Sequence, residues 1–450
     1  MGYEFLAGGI TDPATLTGSA GGPGLGLYPP PRMVFPRLQD KVISAFQAAH
    51  GWTLSGTTGT TYADDTSDYL LGSQSIRLTT GGTGGTHEIR SPALSLDLST
   101  SNLVFAVKID DYARYSDLQI RLSSNGFTDF AYCKPLATGV SQRWVEAGQW
   151  QIITISRAEI VSGISWGNGG IQYSGVKANV NWSAITGIRF KVTDDAAGPI
   201  TVRLNLLGHF PQPTKPLLSI VFDDGRSTHW TVAKAYMDRY RLPGTSAVIV
   251  DSLDSGSPYM TTAQVKELQD KSKWSIVCHA NENTVGSQAH QLGYDGISYP
   301  AGEADILRIK NWLHRNGLTG GNGLCYPHGT YSVGGVNTSV VPMVRKYFDW
   351  ARTTYASTLE TFPPADPWRL RSWSVSNTDT AQQLLDVVDQ GIASKAWTIM
   401  QWHNLVSPAS NNSDSTPAVF QAFIDGVNTR VLAGTIAVRT IHEVIQYGAV

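Results

Sequence analysis

Two kinds of apolar spacing divide this chain. From about residue 40 to 210 the apolar positions fall in short runs: "SIRLTT" (75–80), "LVFAVKI" (103–109), "LQIRL" (118–122), "WQIITI" (150–155), "IRFKV" (188–192) and "VRLNLL" (202–207). Gly, Ser, Asn and Asp clusters separate them, and no helical period of comparable strength intervenes. Short alternating runs between turn signals predict an antiparallel β-sandwich. After "PQPTKP" (211–216) the spacing changes. Short, mainly apolar strands such as "LSIVF", "SAVIV", "WSIVC", "GLCYP", "WARTT", "WTIMQW" and "IAVRT" now alternate with segments of helical period. Trp230, Ala233, Met237 and Tyr240 share one helical face, as do Ile306, Ile309 and Leu313 before a stop at Gly317. Thr261-x-x-Gln264 has the form of a capping box. At least six β-then-α units in roughly 240 residues predict a barrel-like sheet ringed by helices.

The expected organisation is therefore multidomain: a Gly/Pro-rich arm at 1–38, an antiparallel sandwich at 39–210, and a distorted (β/α) barrel at 211–450. "GQWQIITISRAEI" and "ITGIRFKV" resemble, by pattern, the jelly-roll modules attached to carbohydrate-active proteins. That resemblance implies glycan binding; a plain spacer with core aromatics is the other reading.

Composition narrows the partners. Apolar content of 41% and charged content of 16% belong to a globular chain. A net charge of −2 gives no electrostatic case for nucleic acid. No apolar run approaches the ~18 residues of a membrane span, so no membrane insertion is expected. Three cysteines, Cys133, Cys278 and Cys325, are too few and scattered for a disulfide framework or a cysteine zinc site. The first residues, "MGYEFLAGGITDPATL", lack a basic start and a long apolar run. A virion or extracellular location without a cleavable leader is expected, and a cytoplasmic one stays open.

The polar residues placed directly after the apolar strands carry the chemistry, because barrel function sits at the C-terminal strand ends. "SIVF" runs into Asp223 and Asp224, "WSIVC" into His279, and "GLCYP" into His328; "WAR" ends on Arg352 and "WTIMQW" delivers His403. An Asp-Asp-Gly alone is an ordinary turn. Five strand ends bringing carboxylates, imidazoles and a guanidinium to one face are not. Two adjacent carboxylates need a cation, a proton or open water to be tolerated, and a divalent metal would answer. One carboxylate binds such an ion and the other stays a base beside it.

"SIVFDDG", the strand ending in His279, "YPHGTY" and "IMQWH", in this order, resemble the successive motifs of the NodB-homology polysaccharide deacetylases, carbohydrate esterase family four. The match covers about residues 215–445. It implies a distorted (β/α) barrel with one divalent ion, most often zinc, and removal of acetyl groups from N- or O-acetylated glycans. It implies Asp223 as catalytic base, Asp224 and His279 as metal ligands, and His403 as general acid. Where the family has its second histidine this chain has Asn283, with His290 an alternative third ligand from a nearby loop. "CYPHGTY" corresponds to the segment that helps hold the oxyanion, which points to Tyr326 and His328. The arginine that commonly opens that segment is absent, with Cys325 near its place; Arg352 resembles one that some members supply from the next strand. The expected substrate is an acetylated polysaccharide, by this analogy a bacterial surface glycan, and the order of arm, sandwich and barrel resembles a bacteriophage tail component, with virion or homo-oligomer assembly through the arm. The alternative is a glycan-binding receptor-recognition protein whose barrel no longer turns over. His229, His314 and His442 are expected to be ordinary surface or capping residues. Trp368, Trp373 and Trp402 are expected either in the core or in a sugar subsite.

Overall fold

The computed structural model describes residues 41–56, 59–111, 113–134, 148–157, 171–281, 292–331, 339–354 and 359–447. The arm predicted at 1–38 lies outside them, as do Asn283 and His290. Contacts divide the chain into two compact units. One reaches Gln212 and also takes in Pro363–Asp366; the other comprises Pro213–Phe362 and the chain from Pro367 onward.

In the first unit the alternating runs become two antiparallel sheets. Its strands are β1 (Val42–Ser44), β2 (Thr53–Gly56), β3 (Thr61–Asp65), β4 (Ser75–Thr79), β5 (His87–Arg90), β6 (Ser101–Ile109), β7 (Tyr115–Ser123), β8 (Phe130–Cys133), β9 (Gln151–Ile155), β10 (Gln172–Ser174), β11 (Gly187–Asp194) and β12 (Thr201–Pro211). One sheet runs β3-β4-β12-β6-β9, with β1 paired to β12, and the other β10-β8-β7-β11-β5-β2. Period-two alternation turns Phe105 and Val107 of β6, Leu118 and Ile120 of β7 and Phe190 of β11 into one shared core. The polar positions between them on β7 and β11 face the other way.

The second unit carries β13 (Leu217–Phe222), β14 (Thr245–Ile249), β15 (Ser275–Ala280), β16 (Gly323–Cys325), β17 (Trp350–Arg352), β18 (Trp373–Ser374), β19 (Trp397–Trp402) and β20 (Ala437–Val438). Their order is β17-β16-β15-β14-β13-β19-β18, with β20 also on β13, and every pairing is parallel. Every residue of β13 and β19 is buried, as parallel strands covered on both faces require. The ring closes through one residue. Leu370 donates its N–H to the carbonyl of Ala351 (2.9 Å) and accepts from Thr353 (3.0 Å), just before β18. At β13 the ring is split: β14 pairs only Val221 and Phe222, while β20 takes Leu217 and Leu218. This is a distorted (β/α) barrel after a β-sandwich, as the apolar spacing predicts. The helices close around it with the predicted caps; Thr261 and Gln264 exchange both capping-box hydrogen bonds. No helix among the described residues is long and apolar enough to cross a membrane.

Candidate active site

Asp223 directly follows β13. Its N–H donates to the carbonyl of Trp402 (2.9 Å), carrying the β13–β19 ladder one residue past Phe222. The next two residues reverse the chain. Asp224 (φ 73°) and Gly225 (φ 68°) both occupy the left-handed region, which a non-glycine residue enters at some cost. The neighbouring carboxylates thereby part, and each meets its own cation.

Asp223 meets Arg352, which closes β17 and is fully buried. Arg352 Nη2 donates to Oδ1 at 2.5 Å and Oδ2 at 2.6 Å, and Gln401 Nε2 donates to Oδ2 at 3.1 Å. Burial alone would push this carboxyl up. The charge of Arg352, helped by His279 and His403, outweighs it and holds Asp223 below the ordinary carboxylate value.

Asp224 meets Arg226 and His279. Arg226 donates to Oδ2 from Nε (3.2 Å) and Nη2 (3.0 Å), while Oδ1 lies 3.3 Å from His279 Nε2. His279 Nδ1 lies 2.7 Å from the carbonyl of Cys325, an acceptor, so Nδ1 carries a proton and Nε2 faces Asp224. Burial would lower the pKa of this imidazole, but the contact with Asp224 and the charge of Asp223 outweigh it and raise it.

These two donors fit the first two positions of a divalent ion. Carboxylate and imidazole suit zinc or a related metal, and a histidine whose far nitrogen is tied to a backbone carbonyl is the usual way a ligand is held. Among the described residues no group of three His, Cys, Asp or Glu is placed to hold a metal. The predicted third ligand, Asn283 or His290, falls outside the described residues.

His328 (φ 56°) and Gly329 (φ 70°) repeat the left-handed pair on the opposite wall. Glycine is required there, since a Cβ on residue 329 would come within 1.9 Å of Thr354 Oγ1. His328 is exposed and lines the pocket. Tyr326, two residues earlier, is buried. Its N–H donates to the carbonyl of Arg352 (3.1 Å), and its hydroxyl donates to the carbonyl of Trp368 (3.0 Å). With its N–H and hydroxyl both engaged and its ring buried, Tyr326 supports the wall behind His328.

His403, half-buried, follows β19. Gln401 Nε2 lies 2.9 and 3.0 Å from its two ring nitrogens. His403 is braced from behind by His229, whose Nε2 donates to the His403 carbonyl (3.1 Å). His229 is wholly buried, not the surface or capping residue expected from sequence, and burial pushes it down to about 4. It packs on Phe222 at 5.1 Å between ring centroids. Trp402 and Trp373 are core residues, Trp402 packing on Phe420 and Phe423. Trp368 is half-buried under Arg345. None of the three lines the pocket.

A pocket of about 360 Å³ thus gathers Asp223, Asp224, His279, His328, Gln401 and His403. Sequence reasoning missed Gln401, Arg226 and His229. For Gln401 a signal existed: strand alternation puts 401 and 403 on one side.

No family model matches the chain, and no curated protein matches it. Among solved structures the chain is similar to a family 4 acetyl xylan esterase from Clostridium thermocellum (17% identity, 50% of this chain and 89% of that one, TM-score 0.33). It is also similar to the Xyl-CE4 domain of a multidomain xylanase from the hindgut metagenome of Trinervitermes trinervoides (14% identity, 53% and 93%, TM-score 0.35). A third likeness is to carbohydrate-binding modules from the β-sandwich superfamily, with 16% identity over 38% of this chain and a TM-score of 0.28. There the chain spans 61% of the other protein's length. At these scores the fold stands on this chain's own strand order.

Proposed function

We propose that the barrel is a hydrolase that removes acetyl groups from an acetylated polysaccharide. The observation that carries this reading is Asp223: a buried carboxylate hydrogen-bonded by Arg352 and Gln401, in one pocket with the Asp224–His279 pair and His403. An ionised carboxylate and an imidazole in one small pocket are the parts that acyl hydrolysis needs.

In this reading Asp223 takes the proton from the attacking water. Its lowered pKa keeps it in the basic form at neutral pH, at a cost in basicity that Arg352 sets. His403 gives a proton to the departing amine or alcohol, and Gln401 holds its ring toward Asp223. Asp224 and His279 would hold a divalent ion, most suitably zinc, which would lend Lewis acidity to the acetyl carbonyl. His328 forms the wall on the substrate side.

The test is acetate release by the full chain from N-acetylated and O-acetylated oligosaccharides, with 4-nitrophenyl acetate as a small control. Asp223→Asn should abolish release. No acetate from any of the three substrates after loading with zinc, cobalt or nickel would remove the hydrolase reading and leave a glycan-binding barrel.

A further inference from the structure

The near-zero net charge hides a local excess on the sandwich. On the outer face of the β10-β8-β7-β11-β5-β2 sheet, Arg189 of β11 stands directly opposite Arg121 of β7 on one side and Arg90 of β5 on the other. Like charges directly opposite across a sheet destabilise it, so three arginines in one cross-strand row call for a reason. The neighbouring row adds Lys191, opposite Gln119 on one side and Glu88 on the other, and Lys134 stands 3.6 Å from Asp117. Five cations thus face two carboxylates.

The carboxylates do not neutralise the face. Glu88 is shared, accepting from Arg121 Nη1 at 2.6 Å and Arg189 Nη1 at 3.4 Å. Lys191 has no ion-pair partner among the described residues. Burial, with the charge of Arg121, lowers its pKa against the opposing pull of Asp117 and Glu88.

We infer that this face binds an acidic polysaccharide, its carboxylates laid along the Arg90–Arg189–Arg121 row. The inference rests on the reading of the protein as one that acts on glycans. Strands stand about 4.8 Å apart, so the row offers one guanidinium per strand, a spacing close to one sugar ring of an extended chain. Tyr132 and Gln172 continue the row on β8 and β10, and Thr53 ends it on β2, supplying polar groups for hydroxyls. A single nucleic acid strand would add stacking of its bases on open aromatic faces to its phosphate contacts. Here Arg121 lies over Phe130 (4.9 Å) and Arg189 over Phe127 (3.9 Å), so a face of each ring is already covered.

The experiment is affinity electrophoresis of the full chain through gels containing polygalacturonate or the same polymer fully methyl-esterified. Retardation is expected in the charged gel and not in the esterified one, and it should fall with added salt. Arg189→Gln with Lys191→Gln should weaken it at least tenfold. Glu88→Gln, which removes a negative charge from the face, should strengthen it, an outcome that misfolding cannot imitate. Equal mobility in the two gels, unchanged retardation in all variants, or displacement by a single-stranded oligonucleotide as effective as by polygalacturonate would each overturn the inference. Acetate release is measured separately, so a chain that binds but does not hydrolyse counts against the barrel's reading and not against this surface.

Discussion

Arg352 reaches across 129 residues of sequence to give both oxygens of Asp223 a hydrogen bond from one nitrogen, at 2.5 and 2.6 Å. Neither side chain is more than 3% exposed, so each charge depends on the other for its tolerance of the interior. Removing one member of such a pair costs about 3–5 kcal/mol, because the survivor is left charged and buried.

Arg352→Gln should therefore change how stability responds to pH. In the wild type the folded Asp223 pKa is depressed, so its contribution is fully present above the unfolded value of about 3.9 and is lost as pH falls. Without the guanidinium, burial is the largest influence and lifts the folded pKa above the unfolded one. The sign reverses: the variant should lose stability as pH rises through that raised value. Urea unfolding at a series of pH values checks this. A variant no less stable at pH 7 than at pH 5 would show that Arg352 does not set the charge of Asp223.

Gln401 joins the proposed base to the proposed acid, with one amide nitrogen near Asp223 and near both ring nitrogens of His403. Gln401→Leu should lower kcat while leaving KM nearly unchanged. A loss of about 10²-fold is expected, at the lower end of what one general acid or base supplies. Gln401→Asn, with a shorter amide, should recover little. An equal rise in KM would mean that Gln401 binds substrate instead of orienting His403.

Much of this was legible beforehand, for stated physical reasons. Burial of β13 and β19 on both faces makes them mainly apolar runs, and their ends therefore mark Asp223 and His403. Strands β2 and β3, "TLSG" and "TYADD", were not legible, since they carry few apolar residues at sheet edges and read as loop. Arg226 was hidden because its role depends on the left-handed turn at Asp224–Gly225, which brings it back onto its neighbour. His229 was hidden because helical period says which face a residue takes, not which loop packs on that face. The cationic row escaped because cross-strand register cannot be read from any one strand.

His229 supplies a pH response of its own. Buried, it is held at about 4, against about 6.5 when unfolded, so the folded state resists protonation. Its depressed pKa means that stability is retained above about 6.5 and falls as pH drops toward 4, by up to about 1.4 kcal/mol per unit. His229→Gln retains a donor for the His403 carbonyl and removes the titration. Its stability should be flatter with pH across that window, and chemical denaturation at pH 7, 6, 5 and 4.5 reads the difference. Parallel curves for the two proteins would place the acid sensitivity elsewhere.

The metal prediction joins Arg226 to the undescribed third ligand. Asp224 offers Oδ1 toward His279 while Arg226 occupies Oδ2, so an ion bound there would share its carboxylate with a guanidinium 3.0 Å away. That positive charge should weaken the ion's hold. Arg226→Gln should tighten zinc binding in a competition titration, whereas Asp224→Ala and His279→Ala should each abolish it. If Asn283 is the third ligand, Asn283→His should tighten binding, since imidazole donates to zinc better than an amide oxygen, and His290→Ala should change little. Exchange of those two behaviours would assign the position to His290. Zinc affinity unaffected by Asp224→Ala would remove the metal from this pocket altogether. The arginine-clamped Asp223 and His403 would then have to account for any acetate released.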